Sequence, residues 1–223
     1  MITIEAKEPT SAIMGVTWNV SLDASGHVMR FETKDKRVPK LHARLTQAIR
    51  GWRFSSGKVN GEPAATKTQL QTRLKILLVD DGFEVRLIGA STGGGYRSIK
   101  PTHSPEYADK KHKQACVALE VRYDERGNVI AAKQYEGIAK ADRQFVQAAL
   151  DSVKNWTFEP EVVGGIPISS TALVPILFEE RGMQDAPLCK WTVNGTNTEM
   201  SGGQAVALNP AAKLDSDVIG HTL

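Results

Sequence analysis

Several groups of residues have types that could do chemistry. Asp80-Asp81 and Glu179-Glu180 are adjacent carboxylate pairs. General acid–base work needs such a pair in a cleft, facing a second reacting group. Each pair stands instead near a glycine, Gly82 or Gly182, in turn context. His103 and His112 flank Lys110-Lys111 and Lys113, but a metal site needs ligands that converge, and the intervening lysines do not supply that. The lysine cluster suits an acidic partner or a solvated basic face. Gly93-Gly94-Gly95 lacks the Gly-Lys-Ser/Thr ending that a phosphate loop requires and is read as a flexible stretch. No Ser-His-Asp or Cys-His arrangement has a nucleophile context. Asn194-Gly195-Thr196 fits a glycosylation sequon, and a hairpin turn explains it equally well. No catalytic residue, metal ligand or cofactor is expected among them, and so no enzyme is expected.

Elements must hold whatever function the chain has, and composition bounds them. The chain has 223 residues, 28 Lys+Arg against 25 Asp+Glu, and 41% hydrophobic residues. That is too apolar for a disordered chain and long enough for two small cores. A net charge of +3 does not point to nucleic acid. No run approaches the ~20 apolar residues of a membrane helix. Met1-Ile2-Thr3-Ile4-Glu5 lacks the basic start and apolar stretch of a signal peptide. The expectation is a cytoplasmic chain, or one that begins after a removed targeting segment.

The sequence contains an internal repeat. Trp52-Arg53-Phe54 recurs as Trp156-Thr157-Phe158, and Gly61-Glu62-Pro63 as Gly165-Ile166-Pro167, at one common offset. Asp23 to Val28 recurs as Asp124 to Val129, three residues closer. Each copy has the same periodicities. Val16, Trp18, Val20 and Leu22 alternate with polar residues, as do Val117, Leu119, Val121 and Tyr123, which predicts half-buried strands. A turn with glycine follows, then a second strand. Leu41, Leu45, Ala48, Ile49 and Trp52 share one helical face, as do Phe145, Val146, Ala149, Leu150, Val153 and Trp156. Both tryptophans continue that spacing and are read as core rather than as stacking platforms. Extended stretches close the copies, Thr66 to Val79 and Ile166 to Phe178. The predicted unit is β-β-α-β, an antiparallel sheet with one helix on a face: an α+β fold class, twice.

Asp80-Asp81-Gly82 predicts a hairpin that adds Phe83, Val85 and Leu87 to copy one. The expected organisation is 1–90 for the first module with its added strand, 91–104 for a flexible linker, 105–185 for the second module and 186–223 for a C-terminal extension. Trp191 and Val193 suit one more short strand, and a poorly ordered or loosely docked tail is expected from Ser201 onward.

These residues resemble the C-terminal domain of the TonB family, the periplasmic energy transducers. That pattern is a strand, a D-x-x-G-x-V turn, a helix ending in W-x-F, a G-x-P, and a final strand near V-P-I-x-F. Copy two carries it in Asp124, Gly127, Val129, Trp156, Phe158, Pro160, Gly165, Pro167 and Val174-Pro175-Ile176-Leu177-Phe178. Pro105-Glu106-Tyr107 resembles the family's P-x-Y-P entry, with Ala108 where a second proline is expected. Copy one keeps Gly26, Val28, Trp52, Phe54, Gly61 and Pro63 but lacks the V-P-I-x-F ending. A membrane anchor and a proline-rich spacer, which a transducer needs, are not seen in the sequence.

The resemblance implies a non-enzymatic, periplasmic, protein-binding role in the cell envelope, with the membrane engaged only indirectly and no nucleic acid. The implied partner is an extended segment of an outer-membrane receptor or envelope protein, added to an exposed sheet edge. Pro175 cannot donate to a ladder, which puts its strand at an edge or turns its missing N–H to an unpaired side. The expected binding edge is therefore Ser170, Thr171, Ala172, Leu173, Val174 and Ile176, with Phe83–Ile88 as the other candidate edge. The alternative is a structural or assembly protein whose modules pair with each other or form a homodimer. Cys116 and Cys189 are a candidate disulfide, with two free thiols as the alternative: an oxidising compartment permits the bond, and a strand ending near 178 lets the chain return to the same sheet.

Overall fold

The computed structural model describes residues 11–33, 35, 39–79, 82–106, 114–136, 141–178, 189–193, 196–200 and 204–223. The Asp80-Asp81 turn, Lys110 to Lys113 with His112, Glu179-Glu180 and Asn194-Gly195 lie outside them. The described fold is mostly strand with two helices, and its paired strands are antiparallel. No described helix is long and apolar enough to cross a membrane. Two compact units emerge, one running to Thr92 and taking in Ala212–Leu223, the other Gly93–Ala211.

In the first unit, β1 (Ser11–Leu22) and β2 (Val28–Glu32) precede α1 (Pro39–Gly51). Short strands β3 (Phe54–Ser55), β4 (Lys58–Val59) and β5 (Glu62–Pro63) lead to β6 (Thr66–Val79) and β7 (Gly82–Gly93). The sheet runs β2-β1-β6, and β7 pairs with β6. β1 and β6 match along their whole length, from Ser11 opposite Leu77 to Leu22 opposite Thr66. The alternation of β1 buries Val16, Trp18, Val20 and Leu22 against Leu45, Ile49 and Trp52 of the helical stripe and Leu70 and Leu74 of β6. Burying each such side chain contributes about 1.5–3 kcal/mol. The Trp18 indole N–H donates to the Thr72 hydroxyl at 3.2 Å, so its polar atom is satisfied inside the core.

In the second unit, β8 (Gly95–Ser98) comes first, then β9 (Ala115–Tyr123), β10 (Val129–Gln134) and α2 (Arg143–Val153). Strands β11 (Thr157–Glu159), β12 (Val162–Val163) and β13 (Ile166–Pro167) lead to β14 (Ser170–Phe178). A hairpin of β15 (Cys189–Val193) and β16 (Thr196–Met200) follows, then β17 (Val206–Ala207). The main sheet runs β10-β9-β14-β17. Phe145, Ala149 and Val153 put one face of α2 on Val117, Leu119, Val121, Val174 and Ile176. β18 (Lys213–Leu214), in the first unit, pairs with β3.

Two expectations need correction. The glycine stretch at 93–95 is not a spacer: Gly95–Ser98 is β8 and pairs with β11. Its glycines answer to space. A Cβ on Gly93 would overlap the Ala207 methyl, and one on Gly94 the Tyr123 hydroxyl. The tail is not loosely docked either. Residues 204–208 lie on β14 through β17, 213–214 on β3, and 220–223 along β7.

Candidate functional site

The candidate site is the edge of the second unit's sheet, and the turn-and-helix frame holds that sheet. Asp124 accepts the backbone N–H groups of Arg126 and Asn128 at 3.0 and 2.8 Å. Those bonds hold its carboxyl below the usual carboxylate range, the Asn128 amide contributing most. Gly127 takes φ +86°, and its carbonyl accepts the Phe158 N–H at 2.8 Å. The Arg97 guanidinium ties the frame together by donating to Glu159 at 2.9 Å and to the Arg126 carbonyl at 3.0 Å. Trp156 closes the helix end, with its N–H on the Val153 carbonyl at 3.0 Å and its indole N–H on the Lys100 carbonyl at 2.9 Å. Its ring meets Tyr96 edge-on at 5.6 Å. Tyr123 stacks on Phe158 at 4.6 Å, and burial pushes its phenol up to about 12.

β14 is positioned by β9, which pairs with it from Ser170 opposite Tyr123 to Phe178 opposite Ala115. Its side chains are spent on packing. Ala172, Leu173, Val174 and Ile176 are buried, while Ser170 and Thr171 are half-buried. Its backbone is what it can offer. The Leu208 N–H donates to the Thr171 carbonyl at 2.9 Å, on the side away from β9. By the antiparallel alternation, Leu173, Pro175 and Leu177 turn their backbone groups to that same side, and Ala172, Val174 and Ile176 turn theirs to β9. Pro175 is tolerated because its missing N–H falls on the outer side.

That outer side is not open along the expected residues. β17 lies on it, with Ala207 opposite Ala172 and Val206 opposite Leu173. Among the described residues, no strand pairs with the outer side of β14 beyond Leu173. The other expected edge, Phe83–Ile88 in β7, is covered as well: the Leu87 N–H donates to His221, and the Gly220 and Leu223 N–H groups donate to Leu87 and Val85, at 3.1, 2.7 and 2.9 Å. The sheets instead end at β2 and β10. Each carries a large exposed apolar residue, Met29 and Ile130. Both stand one position past the valine of the glycine turn, a placement visible in the sequence but not weighed there.

Cys116, in register opposite Leu177, is disulfide-bonded. No group of three His, Cys, Asp or Glu able to hold a metal occurs among the described residues. A cleft of about 430 Å³ in the first unit is lined by Gln47, Ala48, Trp52 and residues 218 and 221–223 of the tail. His221 is the one ionisable side chain among those lining residues.

Comparison with known proteins follows the same segment. Residues 101–179 match the family model described as Gram-negative bacterial TonB protein C-terminal. Over 84 residues the chain is 31% identical to Protein TonB of Vibrio cholerae serotype O1 (strain ATCC 39315 / El Tor Inaba N16961). That alignment covers 38% of this chain and 33% of the Vibrio protein, so the chain spans about a third of the length of this curated relative. No solved structure matches the chain.

Proposed function

We propose that this chain, whose residues 101–179 belong to the TonB C-terminal domain family, is a non-enzymatic binding protein of the Gram-negative cell envelope. It engages an extended segment of an outer-membrane receptor or another envelope protein by strand addition, in the periplasm. One observation carries this reading: the outer side of β14 already takes a strand, β17, through backbone pairing. An edge that ladders with one extended segment has the geometry to ladder with another. Its buried side chains leave the backbone as the contact, as strand addition requires.

We also propose that the chain is a tandem of two such modules. The supporting geometry is paired. Asp23 and Asp124 donate their N–H to the carbonyls of His27 and Asn128, each at 3.0 Å. Phe54 and Phe158 donate theirs to the carbonyls of Gly26 and Gly127. Asn60-Gly61 and Gly164-Gly165 turn the short hairpins with positive φ at both positions. The sheet orders β2-β1-β6 and β10-β9-β14 agree.

The test is a titration of the isotope-labelled chain with synthetic peptides from the periplasmic N-terminal segments of outer-membrane receptors. The expected result is a set of amide shifts along β14, centred on Thr171 to Leu173. Shifts confined to the exposed face of α2, or none with any peptide, would refute strand addition here.

A further inference from the structure

The segment Gln204 to Leu208 is more than a cover for β14, because its side chains alternate in size in step with two different surfaces. Ala205 and Ala207 are buried, and Ala205 packs into the core beneath α2. Ala207 sits against Gly93, where even a Cβ on the glycine would overlap the alanine methyl. Val206 and Leu208 turn to the opposite face and pack on Ala118 and Leu173 beside Tyr135. The Leu208 N–H on the Thr171 carbonyl and the register of Val206 with Leu173 fix the ladder. Beyond it, the Ala211 N–H donates to the fully buried Glu161 carboxylate at 2.7 Å, which anchors the segment's far end.

We infer that the outer side of β14 is a peptide site of defined pattern, small–branched–small–branched, and that residues 204–208 are its resident occupant. An external segment must displace this occupant to bind. The inference rests on the strand-addition reading and adds to it a specificity and an internal competitor. The small positions follow from the close approach at 207, where the Ala207 methyl lies so near Gly93 that the glycine has no room for a Cβ. The branched positions follow from the apolar pocket around Ala118 and Leu173. The partner is therefore an extended peptide with Ala, Gly or Ser at alternate positions and Val, Ile or Leu between them.

The probe is a labelled peptide of residues 204–210, Gln-Ala-Val-Ala-Leu-Asn-Pro, used with the full chain. Leu208→Pro removes the N–H that bonds Thr171, and Ala207→Leu overfills the space beside Gly93. Both variants should bind the probe at least about tenfold more tightly than the unsubstituted chain, since each unseats the competitor. A probe with Leu in place of its second Ala should bind Leu208→Pro at least about tenfold more weakly than the parent peptide. Equal probe affinity in all three proteins overturns the resident-occupant claim. Failure of both folded variants to bind, while receptor-derived peptides still shift β14, overturns the inferred pattern and leaves strand addition standing. The absence of any β14 shift with any peptide in any protein overturns both. Hydrogen exchange of the unsubstituted chain is independent of how the variants fold. The Leu173 amide should exchange at least about tenfold more slowly than that of Leu177, and equal rates overturn the occupancy.

Discussion

Replacing Gly127 with Ala isolates the turn that holds the second unit's frame, and Gly165 provides its control. Both glycines have φ +86°. An L-residue in that region costs about 1–2 kcal/mol wherever it sits. The gain from a stiffer unfolded chain, about 0.4–1 kcal/mol, is also common to both. Space separates them. A Cβ on Gly165 meets nothing within 4 Å, whereas one on Gly127 overlaps the Phe158 carbonyl oxygen, which is backbone and cannot rotate away. Relief requires moving the β11 segment off the turn. That sacrifices the Phe158 N–H bond to the Gly127 carbonyl at 2.8 Å. Overpacking at about 1–3 kcal/mol and one hydrogen bond at about 1 kcal/mol put Gly127→Ala roughly 2–4 kcal/mol below Gly165→Ala. Urea unfolding followed by circular dichroism, with equal m values, measures the difference. Two variants within ~1 kcal/mol of each other would show that the turn yields freely and that the close approach does not fix the frame.

Trp156→Ala should lose about 3–5 kcal/mol, as large-to-small core changes do, and a loss below ~1 kcal/mol in urea unfolding would place the ring outside the energetic core. Asp124, held below its ordinary value of 3.8 by the Asn128 and Arg126 amides, stabilises the fold above that value and ceases to as pH falls through its lower folded value. A carboxyl carbon NMR titration should therefore give a midpoint below 3.8, and a midpoint at or above it refutes the turn's hydrogen bonding. Cys116 is disulfide-bonded, and we propose Cys189, the other cysteine in the sequence, as its partner. Peptide mapping without reduction should recover the two joined, with about 4 kcal/mol lost on reduction in the chain-entropy model, and a fragment linking Cys116 across two chains would reject the pairing.

Local pattern made much of each unit legible. The alternation at Val16–Leu22 and Val117–Tyr123 appears as β1 and β9, with those apolar residues buried. The stripe Phe145, Ala149 and Val153 appears as the buried face of α2. Trp52 and Trp156 are core residues, each ending its helical stripe. These features are legible because the burial that creates them repeats at the period of the element itself. Gly93-Gly94-Gly95 was not legible. Composition reads the same whether glycine frees a linker or lets two backbones approach, and what demands it here, Ala207 and Tyr123, lies far away in sequence.

The tail was illegible for a related reason. Its pairing segments, β17, β18 and residues 220–223, are too short to establish a period, and their information lies in the strands they join. Pro175 is the one residue of β14 that bears on this. With Leu208 on Thr171 and Val206 opposite Leu173, the same register brings Gln204 opposite Pro175. A ladder extended that far would call for a donor at 175, and proline has none. The β17 pairing stops one step short, at Leu173. Proline thus limits how far any strand can ladder along this edge toward Phe178. Under the strand-addition proposal, an incoming segment makes its backbone bonds at Thr171 and Leu173, the stretch the chain's own residues already hold. The proposed competition between the two then follows from the position of a single imino acid.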